Sequence, residues 1–236
     1  MARGVFPHER LALAERYVGW LAGAGTERGL IGPREVPRLW DRHVLNSAVL
    51  GEWVPDGVRV ADIGSGAGLP GLVLALARPD LDVTLVEPLL RRATFLQEVV
   101  SDLDVPVRVV RARAEELHGV ESFDVVTSRA VAPLARLAGW CMPLVAADGA
   151  MVALKGSSAT DEVQQHREEL RRHGTGDPEV RALGAGILES PTWAVRVSWA
   201  GEPQVSWRIA RDARPRGQRA QRRPGPGGRR RGKGTR

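Results

Sequence analysis

At 236 residues with 43% hydrophobic content, the chain suits one domain with extensions and has enough apolar residues for a sizeable core. Its single cysteine excludes an internal disulfide and points to a reducing, cytoplasmic setting, and no apolar run approaches the roughly 20 residues of a membrane helix. The net charge of +6 is unevenly placed: from Arg208 onward there are 12 basic residues and one acid, a charge of +11, which leaves −5 on everything before. An electrostatic claim on nucleic acid must therefore rest on that tail or on local clusters.

In chain order, Leu13, Tyr17, Trp20 and Leu21 recur at helical spacing and predict a packing helix within the first 25 residues. Gly29 to Pro33 is a break, and a second helix starts at Pro33 with Val36, Leu39, Trp40 and Val44 on one side. Arg42 and His43 lie within it. They suit contact with RNA phosphate or a cofactor pocket, and equally suit a surface arginine and a half-buried, hydrogen-bonded histidine. The division that follows is a helical N-terminal extension over 1–56, a Rossmann-like α/β domain over 57–207 and a disordered Arg/Gly/Pro-rich tail over 208–236, which cannot bury enough apolar surface to fold.

The chain is organised around Val58 to Gly71, a β-branched run ending at Asp62, three glycines in alternate positions (Gly64, Gly66, Gly68), then Leu69, Pro70 and an apolar stretch to Ala77. That order reads as strand, tight turn and helix, the first βα unit of a sheet that holds an adenosine cofactor. A second strand, Val83 to Val86, ends in Glu87, about 20 residues beyond the loop, where a carboxylate can accept both ribose hydroxyls. Glu87 suits NAD and S-adenosylmethionine alike. Asp62 favours the second, because a carboxylate beside the turn suits a cationic amino-acid ligand and repels a pyrophosphate. Both acids could instead cap turns.

A helix is predicted over Leu89 to Val100, with Arg91 and Arg92 near its start, against the macrodipole preference. Strands follow at Val107 to Val110, Phe123 to Thr127 and Gly149 to Leu154, then a helix over Ser158 to His173 and an antiparallel pair, Val180 to Leu188 with Thr192 to Trp199. The loop after the fourth strand carries Ser128-Arg129-Ala130, not the Asn/Asp-Pro-Pro-aromatic motif of amino-directed methyltransferases. The one cysteine, Cys141, lies in an apolar stretch away from that loop, which disfavours cysteine-dependent attack on a pyrimidine. Lys155 ends the fifth strand; the chain's only other lysine is Lys233.

Asp62 to Gly71, Val86 to Leu96, Arg113 to Glu116, Thr127 to Ala130 and Leu154 to Gly156 together resemble, in order, the motifs of the RsmG (GidB) family. The likeness covers about Pro33 to Ser198, and it departs at Glu27 to Gly32, where relatives usually carry an asparagine-rich segment. The resemblance implies a class I S-adenosylmethionine-dependent methyltransferase acting on N7 of a guanine in 16S ribosomal RNA of the small subunit. It assigns the cofactor to Asp62, Gly64, Leu69, Glu87, Ala114, Glu115 and Arg129, with Ala114 and Glu115 at the adenine. Arg129 would meet the methionine carboxylate or the guanine, or form a structural salt bridge. RNA would be met by Arg42, His43, Lys155 and the tail. Guanine N7 has an in-plane lone pair and no proton to remove, so no catalytic base and no metal are expected. A monomer without membrane attachment completes the expectation. An NAD-dependent oxidoreductase and a non-catalytic RNA-binding protein are the alternatives.

Overall fold

In a computed structural model, residues 4–129 and 132–205 are described; the tail over 208–236 lies outside them. Seven strands form one sheet: β1 (Arg59–Ile63), β2 (Asp82–Val86), β3 (Arg108–Val110), β4 (Phe123–Arg129), β5 (Val145–Lys155), β6 (Glu179–Leu183) and β7 (Thr192–Ser198). Their spatial order is β3-β2-β1-β4-β5-β7-β6. β1 to β5 run parallel, and β7 is antiparallel to both β5 and β6. The dinucleotide-binding arrangement ends in a sixth parallel strand instead. The hairpin that places β7 between β5 and β6 separates this sheet from that one.

Alternation along β1 explains the three layers. Val60 enters the core on one face, and Ala61 and Ile63 enter the core on the other. On the first face lie α3 (Gly71–Ala77) and α4 (Leu90–Leu103), covered by α1 (His8–Trp20) and the helical turns over 33–53. Every residue of α3 is buried, as an apolar helix with no polar side must be when another helix packs over it. On the second face lie α5 (Ala114–Leu117), α6 (Leu134–Cys141) and α7 (Ala159–Arg172). Cys141 is fully buried there.

Several predicted boundaries shift for identifiable reasons. After α1 the chain continues as a π-helical turn, Leu21–Gly25. The second predicted helix is a succession of a 3-10 turn (Pro33–Arg38), a π-helical stretch (Leu39–Leu45), α2 (Asn46–Ala48) and a further 3-10 turn (Val49–Trp53). Pro37 sits inside the first of these and withholds a backbone donor. β5 starts four residues before the predicted Gly149, with a register shift against β4 near Phe123. Gly149 permits it, since a Cβ there would stand 2.5 Å from the Asp124 carbonyl oxygen. β6 stops at Leu183, not Leu188, because Gly184 turns the chain at φ +83° and its N–H donates to Glu52 Oε1 at 3.0 Å.

Candidate active site

A cleft of about 770 Å³ opens at the carboxyl ends of the parallel strands, where the chain turns from β1 toward β2 on one side and β4 on the other; Gly64, Glu87 and Arg129 line it. The glycine loop forms its floor. Gly64, Gly66 and Gly68 take φ of +72°, +59° and +101°, the left-handed region that a side chain resists. Two consecutive N–H groups, of Gly64 and Ser65, donate to the Val86 carbonyl at 2.9 and 3.2 Å and tie the loop to the end of β2.

Glu87 is buried and holds the loop from the other side. Its Oε2 accepts from Gly66 N–H at 2.9 Å and its Oε1 from Leu89 N–H at 3.0 Å. An ionised carboxylate offers about four lone-pair sites, so each oxygen keeps one for a further donor.

Asp62 lies beneath the loop, fully buried at the end of β1. Oδ2 accepts from Gly71 N–H at 3.0 Å, while Oδ1, equally buried, has no partner. Burial pushes its pKa up to about 7, against the pull of the Gly71 N–H, of the nearby Ser65 hydroxyl, which donates to the Asp62 backbone carbonyl at 2.8 Å, and of Arg129. Gly71 has no room for a side chain: a Cβ would stand 2.5 Å from Asp62 Cβ and 2.6 Å from Leu85 Cδ2. An orphaned acceptor under a glycine turn fits the ammonium group of S-adenosylmethionine, and the two free lone pairs of Glu87 fit its ribose diol.

Arg129 ends β4 and is held by the segment that precedes the domain. Its Nη2 donates to His43 Nδ1 at 3.0 Å, and Nη1 reaches Ser47 Oγ at 3.4 Å. His43 Nε2 in turn meets Glu35 Oε2 at 2.8 Å, and Arg42 pairs with Glu35 Oε1 at 3.3 Å. Of the residues assigned to RNA, Arg42 and His43 thus join the cofactor-side arginine in one chain of hydrogen bonds. Lys155 does not join them. Its side chain is 8% exposed, and the ammonium donates to Glu162 and to the Ala132 carbonyl, both at 2.9 Å.

At the adenine end, Ala112, Arg113 and Glu116 line the cleft. Ala114 packs into the core at the start of α5, and Glu115 is exposed beside it. Leu69 is buried in the opposite core, below the loop. Sequence reasoning missed Tyr17. It reads as one more apolar position of a packing helix, yet its hydroxyl is fully buried and donates to the Ala67 carbonyl at 2.8 Å, so α1 latches the glycine loop directly.

With this geometry in place, comparison with known proteins gives the family. The family model described as rRNA small subunit methyltransferase G matches residues 10–189. The chain belongs to that family. A protein of that name from a Nocardioides species is 60% identical over 226 residues, 95% of this chain and 90% of the relative. The methyltransferase G of Mycobacterium marinum is 58% identical over 189 residues, 79% of this chain and 83% of its own. Among solved structures, an S-adenosylmethionine-dependent O-methyltransferase from Thermotoga maritima superposes with a TM-score of 0.52 at 14% identity, covering 72% of this chain and 71% of that one. A branched-chain polyamine synthase variant from Thermus thermophilus gives 0.54 at 15% identity, covering 82% and 66%. The methyltransferase G family chain described here thus has the class I methyltransferase fold. Among the described residues, no helix is long and apolar enough to cross a membrane, and no cluster of side chains could hold a metal ion.

Proposed function

We propose that the protein transfers the methyl group of S-adenosylmethionine to N7 of a guanine in 16S ribosomal RNA. The observation that carries the cofactor half is the buried, unpartnered Oδ1 of Asp62 beneath the glycine loop. Family membership carries the RNA half.

Bound in the cleft, the cofactor supplies an electrophilic methyl on a sulfonium. The protein's part is to position and to exclude water. Asp62 Oδ1 takes the ammonium group, Glu87 the ribose hydroxyls, and the backbone N–H of Ala114 the adenine, with Arg129 presented to the methionine carboxylate by His43. N7 attacks through its own lone pair, so no side chain need remove a proton. Well-oriented proximity supplies on the order of 7 to 11 kcal/mol of barrier lowering, and a site built only to hold and align is sufficient. The target guanine must be unpaired or turned out of its helix to enter a cleft lined by side chains.

The test is calorimetric titration with S-adenosylhomocysteine and with NADH, on wild type and Glu87→Ala, followed by labelled methyl transfer to 16S rRNA. Homocysteine-analogue affinity should fall about tenfold or more in the variant, and label should appear at a guanine that becomes sensitive to borohydride and aniline cleavage. Binding of NADH alone, or label at any atom other than N7, rejects the reading.

A further inference from the structure

The rim of the cofactor cleft carries more positive charge than the cofactor explains. Arg92, Arg111 and Arg113 line it together with Glu87 and Glu116. Both acids are engaged by backbone, Glu87 with Gly66 and Leu89, and Glu116 with the N–H of Arg113. Several arginines away from the cleft pair with acids: Arg28 meets Glu98 at 2.6 Å, Arg78 meets Asp56 and Asp80 at 2.7 Å, and Arg108 meets Glu121 at 2.6 Å. Among the described residues, the three rim arginines enter no ion pair. Arg111 and Arg113 are exposed, and Arg92 Nε is buried without an acceptor. What sets these three apart is that they line one cleft, and so concentrate positive charge there while everything before Arg208 carries −5 overall.

S-adenosylmethionine has one carboxylate and no phosphate, and the first of these is already allotted to Arg129. Three free guanidiniums at the adenosine end call for an anion that the cofactor lacks. We propose that backbone phosphates of the RNA substrate seat on Arg92, Arg111 and Arg113, across the mouth of the cleft, so that RNA docks on the loaded enzyme and holds the cofactor in. The proposal rests on the ribosomal RNA reading above. Guanidinium groups suit this task because they present paired donors to phosphate oxygens. A strand lying over the adenosine end also directs its path toward Arg129, on the other side of the glycine loop, where the reacting base belongs.

The full chain and the triple variant Arg92→Gln, Arg111→Gln, Arg113→Gln are compared in two measurements. The first is affinity for a 16S rRNA fragment as a function of salt. Each lost phosphate contact lowers the slope of log K against log salt by about 0.7 for single-stranded RNA, so the slope should become shallower by about 2, with affinity roughly tenfold or more weaker. The second is the release rate of S-adenosylhomocysteine with and without RNA. RNA should slow release from the wild type and leave release from the variant unchanged, each protein being compared with itself in the absence of RNA. An unchanged salt slope, RNA-slowed release that persists in the variant, or lost analogue affinity with intact RNA binding each overturns the proposal. A wild type that binds the analogue but neither binds nor methylates 16S rRNA removes the substrate reading itself, which is a different outcome.

Discussion

His43 and Arg129, 86 residues apart, share a hydrogen bond in which the direction is fixed by chemistry: the guanidinium can only donate, so His43 Nδ1 must be the acceptor. The ring proton then lies on Nε2 and faces Glu35 at 2.8 Å. A second proton on the ring would have to replace the bond to Arg129 with a repulsion. Burial, foremost, pulls the His43 pKa below its ordinary value and outweighs the opposing pull of Glu35, with Arg129 acting in the same direction as burial. The neutral ring is the folded form. Stability from this group is therefore complete above the ordinary histidine pKa of about 6.5 and is lost as pH falls through the lower folded value. Urea midpoints should fall between pH 7 and 5 in the wild type and less in His43→Gln, whose amide can still accept from Arg129 and donate to Glu35. His43→Ala leaves a part-buried cation short of a partner and should lose about 1.5 to 3 kcal/mol at pH 7.

Asp62 behaves in the opposite sense. Its folded pKa, raised to about 7, means that the ligand-free protein prefers the neutral acid and loses stability as pH rises through 7. A cationic ligand reverses the preference. Affinity for S-adenosylhomocysteine should therefore increase from pH 6 to pH 8 in calorimetric titrations. Asp62→Asn should remove that pH dependence and weaken binding about tenfold or more, while the ligand-free variant at pH 8 melts no lower than wild type.

Gly71→Ala tests the close approach of α3 to β1. The added methyl must displace Asp62 and Leu85, both fully buried, and overpacking of this kind costs about 1 to 3 kcal/mol. Denaturant unfolding should show a lower midpoint with an unchanged slope, and cofactor affinity should fall with it, because the same displacement moves the Asp62 carboxylate.

Tyr17→Phe removes only the hydroxyl that donates to the Ala67 carbonyl. The carbonyl stays buried and unpaired, so a loss of about 1 to 3 kcal/mol is expected, read from unfolding curves. Weaker cofactor binding in the folded variant would show that the loop's conformation depends on α1.

The strand, glycine loop and helix over 58–77 were legible because each depends on neighbours in the chain: a β-branched run, positions that need positive φ, an apolar stretch with no polar face. The expected end of β6 was less so, although Gly184 and Gly186 interrupt the apolar run from Val180 and mark a break. What periodicity cannot carry is a contact such as Tyr17 with Ala67 or His43 with Arg129. The one signal available was that the chain's single tyrosine stands on an apolar helix face, where a buried hydroxyl must find an acceptor. Lys155 went the other way. Rarity drew attention to it, but its charge is met by Glu162 from the next helix, seven residues on and across a turn that no helical spacing predicts.

The reversal of β7 fixes where the chain leaves the sheet. Thr192 begins near the cofactor end, beside Lys155, and Ser198 finishes opposite Ala150, toward the far edge. Trp199 then donates to the Val145 carbonyl, and Val205 lies against Gly119, at the turn that precedes β4. The reversal of β7 thus brings residues 199–205 to the end of the sheet opposite the cleft, so this part of the chain closes the fold without crowding the mouth of the site.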